Sequence, residues 1–122
     1  MPTKVAVIQK PPVLLDRDKT IVRALASIEE AAREGATLLV FPEAYIPGYP
    51  TWIWRLKPGG DMALCNEIHA RLRQNAVDLG GNDLRPLQEA AAKHGVTIVM
   101  GLHEIDADLR HHAVQHGGGD RP

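Results

Sequence analysis

An α/β layer fold is what this chain predicts, and three observations predict it. Three short runs rich in β-branched and other apolar residues, at 4–9, 37–41 and 96–102, have the length and character of strands. Segments between them carry apolar residues at helical spacing. Proline and glycine punctuate the passages from one kind of segment to the other.

The elements follow in order. Lys4-Val5-Ala6-Val7-Ile8-Gln9 alternates loosely and reads as the first strand, closed by Lys10-Pro11-Pro12. The spacing predicts a helix over 18–34. Asp18 suits its N-cap, and Ile21, Val22, Leu25, Ile28, Ala31 and Ala32 form one apolar stripe, with Gly35 just past the end. Residues 37–41 form a nearly continuous apolar strand, the pattern of a strand covered on both faces. Strand, helix and strand with a short return predict a right-handed parallel crossover.

Residues 42–60 read as a long loop rich in proline, glycine and aromatics, at the carboxyl end of a strand, where α/β proteins place their sites. A second helix is predicted over 61–78, with Met62, Leu64, Cys65, Ile68, Leu72 and Val77 as its apolar positions; Gly80-Gly81 breaks the chain after it. A third helix is predicted over 83–94, with Pro86 in its first turn and Gly95 after its end. Residues 96–102 supply the third strand.

Composition narrows the function classes. The 122 residues allow one domain or part of one. Fourteen basic against 15 acidic side chains leave a net charge of −1, so neither nucleic acid nor a membrane surface is an expected partner. The single cysteine excludes an internal disulfide and suits a reducing compartment, and no apolar run approaches a signal-peptide core or a membrane span. The cytoplasm is the expected location. The first strand runs into Gln9-Lys10-Pro11-Pro12, not a glycine-rich turn, so dinucleotide binding is rejected.

The most informative stretch is Phe41-Pro42-Glu43-Ala44-Tyr45-Ile46-Pro47-Gly48-Tyr49-Pro50. It places a carboxylate where a strand leaves its sheet, in a loop stiffened by three prolines. A carboxylate aimed in this way suits general-base work.

This motif resembles the glutamate motif of the nitrilase branch of the carbon–nitrogen hydrolases. Lys4–Gln9 looks like that family's first strand, Tyr49-Pro50-Thr51-Trp52-Ile53-Trp54 like the aromatic stretch of true nitrilases, and Val96-Thr97-Ile98-Val99-Met100-Gly101-Leu102-His103-Glu104 like a later strand. The resemblance implies the N-terminal part of an α-β-β-α sandwich, a small-molecule nitrile substrate, no cofactor, and a Glu-Lys-Cys triad. In that triad a thiolate attacks the nitrile carbon to give a thioimidate, the glutamate moves protons, and the lysine stabilises developing charge. By position Glu43 matches the glutamate, the proton acceptor. The chain stops before the matching lysine and cysteine, so this polypeptide is expected to be inactive alone.

Other residues have plainer expectations. Cys65 falls on a predicted helix, where a lone cysteine is usually a small buried apolar group; Lys57 and Lys93 read as solvated charges. Tyr45, Tyr49, Trp52 and Trp54 suit either a nitrile pocket or packing, with Tyr49, nearest the Pro-Gly turn, taken as the substrate-binding candidate. Glu104, His69 and His94 read as surface or structural residues, and Glu29, Glu30, Arg33 and Glu34 as a solvated helix face.

From Arg110 the character changes. The stretch Arg110-His111-His112-Ala113-Val114-Gln115-His116-Gly117-Gly118-Gly119 has no periodicity. One allowed back-translation of residues 110–121, read one nucleotide later, gives Ala-Thr-Thr-Pro-Phe-Asn-Thr-Val-Val-Val-Ile-Asp, which restores the family's Asn-Thr pair and an apolar strand. Residues 1–109 are therefore expected to be the N-terminal portion of a hydrolase domain, and 110–122 a non-native, frameshifted tail. His111, His112 and His116 raise the alternative of a metal site, but no carboxylate or cysteine completes a ligand set and the glycines would fray a helix, so no metal is expected. The rival to an enzyme lineage is a non-catalytic fragment or interaction module, forming a homo-oligomer or co-assembling with an intact homologue through an uncovered sheet face.

Overall fold

The structure, a computed structural model, describes residues 2–57 and 59–105. The proposed frameshifted tail and its histidines lie outside the described residues. The elements run β1 (Val5–Val7), α1 (Arg17–Arg33), β2 (Leu38–Val40), a short 3-10 helix (Thr51–Trp54), α2 (Met62–Asn75), α3 (Arg85–His94) and β3 (Thr97–Val99). The strands pair in parallel in the order β1-β2-β3. This is an α/β fold.

Strand alternation decides which face is covered. The row Ala6, Leu39 and Ile98 is in register across the sheet and joins a core with Ile21, Ala24, Ile28 and Ala31 of α1 and Leu87 of α3. The alternate rows point the other way, and there Val5 is 49%, Val7 66% and Val99 51% exposed. The apolar run of β2 led to an expectation of cover on both faces. Among the described residues only one face is covered, which leaves Leu38 and Val40 half-buried beside fully buried Leu39.

Helix α1 is capped two residues earlier than its sequence suggests. Asp16, not Asp18, is the N-cap: it has extended backbone, and its Oδ1 accepts from Lys19 N at 3.0 Å. Asp18 lies in the first turn, where a negative charge favours the helix dipole. Val22 leaves the expected stripe and is 66% exposed, because the buried arc is centred on Thr20, Ile21, Ala24, Ser27, Ile28 and Ala31. Helix α3 matches its expectation closely, with Pro86 in the first turn and Gly95 closing it at φ 63°.

Helix α2 differs most. It ends at Asn75, and none of its residues is buried: Met62 and Leu64 are exposed, while Cys65, Ile68 and Leu72 are half-buried. Val77, expected as its last apolar position, has left the helix and is fully buried. It gains two ladder bonds there, donating to His103 O at 2.7 Å and accepting from Ile105 N at 2.8 Å. Arg17 ties the end of α2 to the start of α1: its guanidinium donates to Gln74 O and Ala76 O, each at 3.2 Å, and lies 3.8 Å from Asp83.

The two sheet faces should answer differently to substitution. Leu39→Ala should cost about 2–5 kcal/mol in urea unfolding, because it empties a closed core position. Val7→Thr, which keeps a β-branched side chain on the open face, should change stability by less than about 0.5 kcal/mol.

Candidate active site

The site begins where the parallel ladder between β2 and β3 breaks step. Phe41 N donates to Val99 O at 2.9 Å. In an evenly spaced parallel ladder the next donor to Gly101 O would come two residues on, from Glu43. Instead Ile46 N donates to Gly101 O at 3.2 Å, and His103 N returns a bond to Ile46 O at 2.8 Å. The ladder resumes three residues late, and Glu43, Ala44 and Tyr45 form the excursion. Pro42 ends pairing on the other side: Ile8 N still donates to Val40 O at 2.9 Å, but Pro42 has no N–H to continue toward β1.

Both flanks of the excursion are anchored in the core. Phe41 and Tyr45 are buried and their rings meet at 5.1 Å between centroids, tilted by 53°. Pro42 and Glu43 between them are exposed. Ala44 makes the return turn at φ 51°, a left-handed conformation that a non-glycine residue adopts at a cost of roughly 1 kcal/mol. Downstream, Leu15 N donates to Pro47 O at 2.9 Å, Gly48 N to Ala44 O at 3.0 Å, and the His103 ring Nε2 lies 3.2 Å from Gly48 O. The Ile46–Pro47 peptide bond is cis.

Gly101 lies directly beneath this excursion. A Cβ placed on it would sit 2.9 Å from Glu43 Cα and 2.7 Å from Ala44 N, and closer still to Pro42 O. Backbone surrounds the position, so no side-chain rotation would make room.

The predicted residues are only partly brought together. Glu43 is exposed on the rim of the sheet and accepts no hydrogen bond among the described residues, while the neighbouring aromatic pair Phe41 and Tyr45 is buried. Tyr49 is on the same loop and 41% exposed. Tyr45 is a core residue, Trp54 is 76% exposed, and Trp52 is half-buried with its Nε1 unpartnered among the described residues. Cys65 is half-buried on α2, and Lys57 and Lys93 are exposed. Glu104 is exposed but its backbone bridges to Val77. Two cavities, of about 280 and about 300 Å3, flank β1 and α1; neither is lined by Glu43 or Tyr49.

Among the described residues, local surroundings shift the acidities of Tyr45 and Glu30. Burial pushes the Tyr45 phenol above its ordinary value, against the opposing charges of Arg23 and Lys10. The Lys10 ammonium, hydrogen-bonded to Glu30 at 2.8 Å, holds that exposed carboxyl below its usual range.

Sequence reasoning singled out Glu43 and passed over Gly101 and His103, which hold its loop. The available signal was a glycine inside a strand pattern, which marks a bulge or a close backbone approach.

Comparison with known proteins gives this geometry a context. The profile of the carbon–nitrogen hydrolase family matches residues 4–114. The chain is 42% identical over 109 residues to an aliphatic nitrilase of Rhodococcus rhodochrous, a match covering 88% of the chain and 27% of that relative. It is 38% identical over 103 residues to a nitrilase of Pseudomonas syringae pv. syringae (strain B728a), covering 84% of the chain and 30% of the relative. An arylacetonitrilase of Aspergillus niger is 40% identical over 105 residues, covering 86% and 29%. The chain thus spans between a quarter and a third of the length of these curated relatives.

Tyr45 supplies two tests. Its hydroxyl is buried with no partner among the described residues, so Tyr45→Phe should stabilise the fold by about 1 kcal/mol in urea unfolding; a loss of stability would mean the hydroxyl is bonded. Its raised pKa also fixes a sign. The neutral phenol's contribution is complete below about pH 10, the unfolded value, and is lost as pH rises through the folded value. Thermal midpoints should therefore fall more steeply above about pH 10 in the native chain than in Tyr45→Phe.

Proposed function

The chain belongs to the carbon–nitrogen hydrolase family, and on that premise we propose that Glu43 is the proton acceptor of a nitrilase-type reaction, nitrile to carboxylic acid and ammonia. The observation that carries the reading is the ladder skip. It lifts one carboxylate out of the carboxyl rim of a parallel sheet, between the buried rings of Phe41 and Tyr45. A general base must be held where it can reach a proton, and its own hydrogen-bonding capacity must be free to do so. The matched relatives are named as nitrilases and arylacetonitrilases, which supports a nitrile as the substrate class. No cofactor enters this scheme.

In the proposed reaction a thiolate adds to the nitrile carbon, and the nitrile nitrogen takes up a proton to give a thioimidate. Water adds to that carbon, ammonia leaves, and a second water releases the acid and restores the thiol. Glu43 would take the proton from the thiol and from each attacking water, and return protons to the departing groups. An ammonium group would stabilise the charge at the tetrahedral stages. Tyr49, six residues along the same loop, is proposed to line the substrate pocket.

Glu43 is the single triad member with a matching position here, since Cys65 and the lysines Lys57 and Lys93 lie in other contexts. We read residues 1–109 as the N-terminal portion of a hydrolase domain and 110–122 as a frameshifted tail. The tail reading rests on codon arithmetic, and sequencing the coding DNA decides it. The lone cysteine suits a cytoplasmic location, and no helix among the described residues is long and apolar enough to cross a membrane.

The open sheet face favours a second reading for this polypeptide by itself, as a non-catalytic fragment that self-associates or joins an intact homologue. On that face Val5 and Val7 of β1 and Val99 of β3 are exposed, with half-buried Val40 between Val7 and Val99. Size-exclusion chromatography of the 122-residue chain should then give a mass above that of a monomer. A monomer with a cooperative melt would oppose it.

Activity tests the first reading. The chain alone should release no ammonia above background from aliphatic or arylacetic nitriles, since components of a catalytic unit act together. In a chimera, residues 4–105 would replace the matching segment of the Rhodococcus rhodochrous aliphatic nitrilase. There Glu43→Gln should lower kcat by at least about a hundredfold. Unchanged turnover in that variant would remove Glu43 from the chemistry.

A further inference from the structure

We propose that Gly101 is a positioning residue for the carboxylate of Glu43, acting through van der Waals contact between two backbones; this rests on the reading of Glu43 as the proton acceptor. Three observations carry it. The ladder between β2 and the segment after β3 resumes at Ile46, and the excursion of Glu43, Ala44 and Tyr45 must pass over the strand that carries Gly101. The space a Cβ on Gly101 would need is already held by Pro42 O, Glu43 Cα at 2.9 Å and Ala44 N at 2.7 Å. These are backbone atoms, and their position is fixed on both sides by the buried Phe41–Tyr45 pair and by the left-handed turn at Ala44.

Gly101 is not at a positive φ, so its requirement is for space and not for a special conformation. This separates it from Gly95, whose φ is 63° and whose added Cβ would meet nothing within 4 Å. An alanine at Gly101 must push the Pro42–Ala44 backbone outward by several tenths of an ångström or more. Glu43 would be carried with it. A misplacement on that scale disturbs proton transfer far more than it disturbs substrate binding.

The prediction is a split between chemistry and binding. In the chimera described above, Gly101→Ala should reduce kcat by at least about tenfold while KM stays within about threefold. Gly95→Ala, which loads strain on the end of α3 and leaves the Glu43 loop alone, should lower the thermal midpoint but keep kcat. Equal kcat for Gly101→Ala and Gly95→Ala would overturn the inference, and so would a Gly101→Ala effect confined to KM or to the thermal midpoint. If Gly101→Ala does not fold, the unsubstituted chimera decides. Nuclear Overhauser contacts from Gly101 Hα to both Glu43 Hα and Ala44 HN support the positioning, and their absence overturns it. Failure of the underlying reading looks different: Glu43→Gln would keep its turnover while those contacts remain.

Discussion

The structure depends on a skipped step in a hydrogen-bond ladder. Parallel strands repeat their bonds every two residues, and a strand that kept that rhythm would place Glu43 in line with its neighbours, its backbone committed to Gly101. Between Phe41 and Ile46 the rhythm fails by three residues. Pro42 withdraws a donor on one side, Gly101 withdraws a side chain from below, and Ala44 reverses the backbone. The result is a carboxylate at the sheet's rim whose backbone is held from both ends.

The stability of that excursion is drawn from elsewhere in the fold. Glu43 contributes little burial of its own. Phe41 and Tyr45 belong to the same core as α1, α3 and the Ala6–Leu39–Ile98 row, so loosening the core would loosen the loop. The segment Thr97–Ile105 works as a continuous template along one edge. It bonds in turn to Thr37, Phe41, Ile46 and Val77, and so gathers β2, the Glu43 loop and the segment after α2 onto one backbone. Capture of Val77 by that edge begins two residues after α2 ends at Asn75.

Much of this could be read from residues alone, and the failures share a cause. The three strands, α1, α3 and the special character of the Glu43 segment are announced by β-branched runs, helical stripes, Pro86, Gly95 and the proline-rich motif. The N-cap moved from Asp18 to Asp16 because both are good caps, and the choice between them belongs to the turn at Leu15. The predicted stripe of α2 includes Val77, which a distant strand claims; local periodicity carries no record of that pairing. The same blindness applies to Gly101. Its role depends on which backbone crosses it, a fact of tertiary register. Tyr45 and Tyr49 sit four residues apart in one loop, yet one is core and the other exposed, and composition could not separate them.

The register itself can be measured through its hydrogen bonds, without reference to turnover. Scalar couplings across hydrogen bonds in the labelled protein report which amide nitrogen shares a proton with which carbonyl carbon. The skipped ladder predicts a coupling between the nitrogen of Ile46 and the carbonyl of Gly101, and another between the nitrogen of His103 and the carbonyl of Ile46. A coupling from the nitrogen of Glu43 to the carbonyl of Gly101 would mean that the strands stay in step, and that the carboxylate is not lifted from the sheet at all.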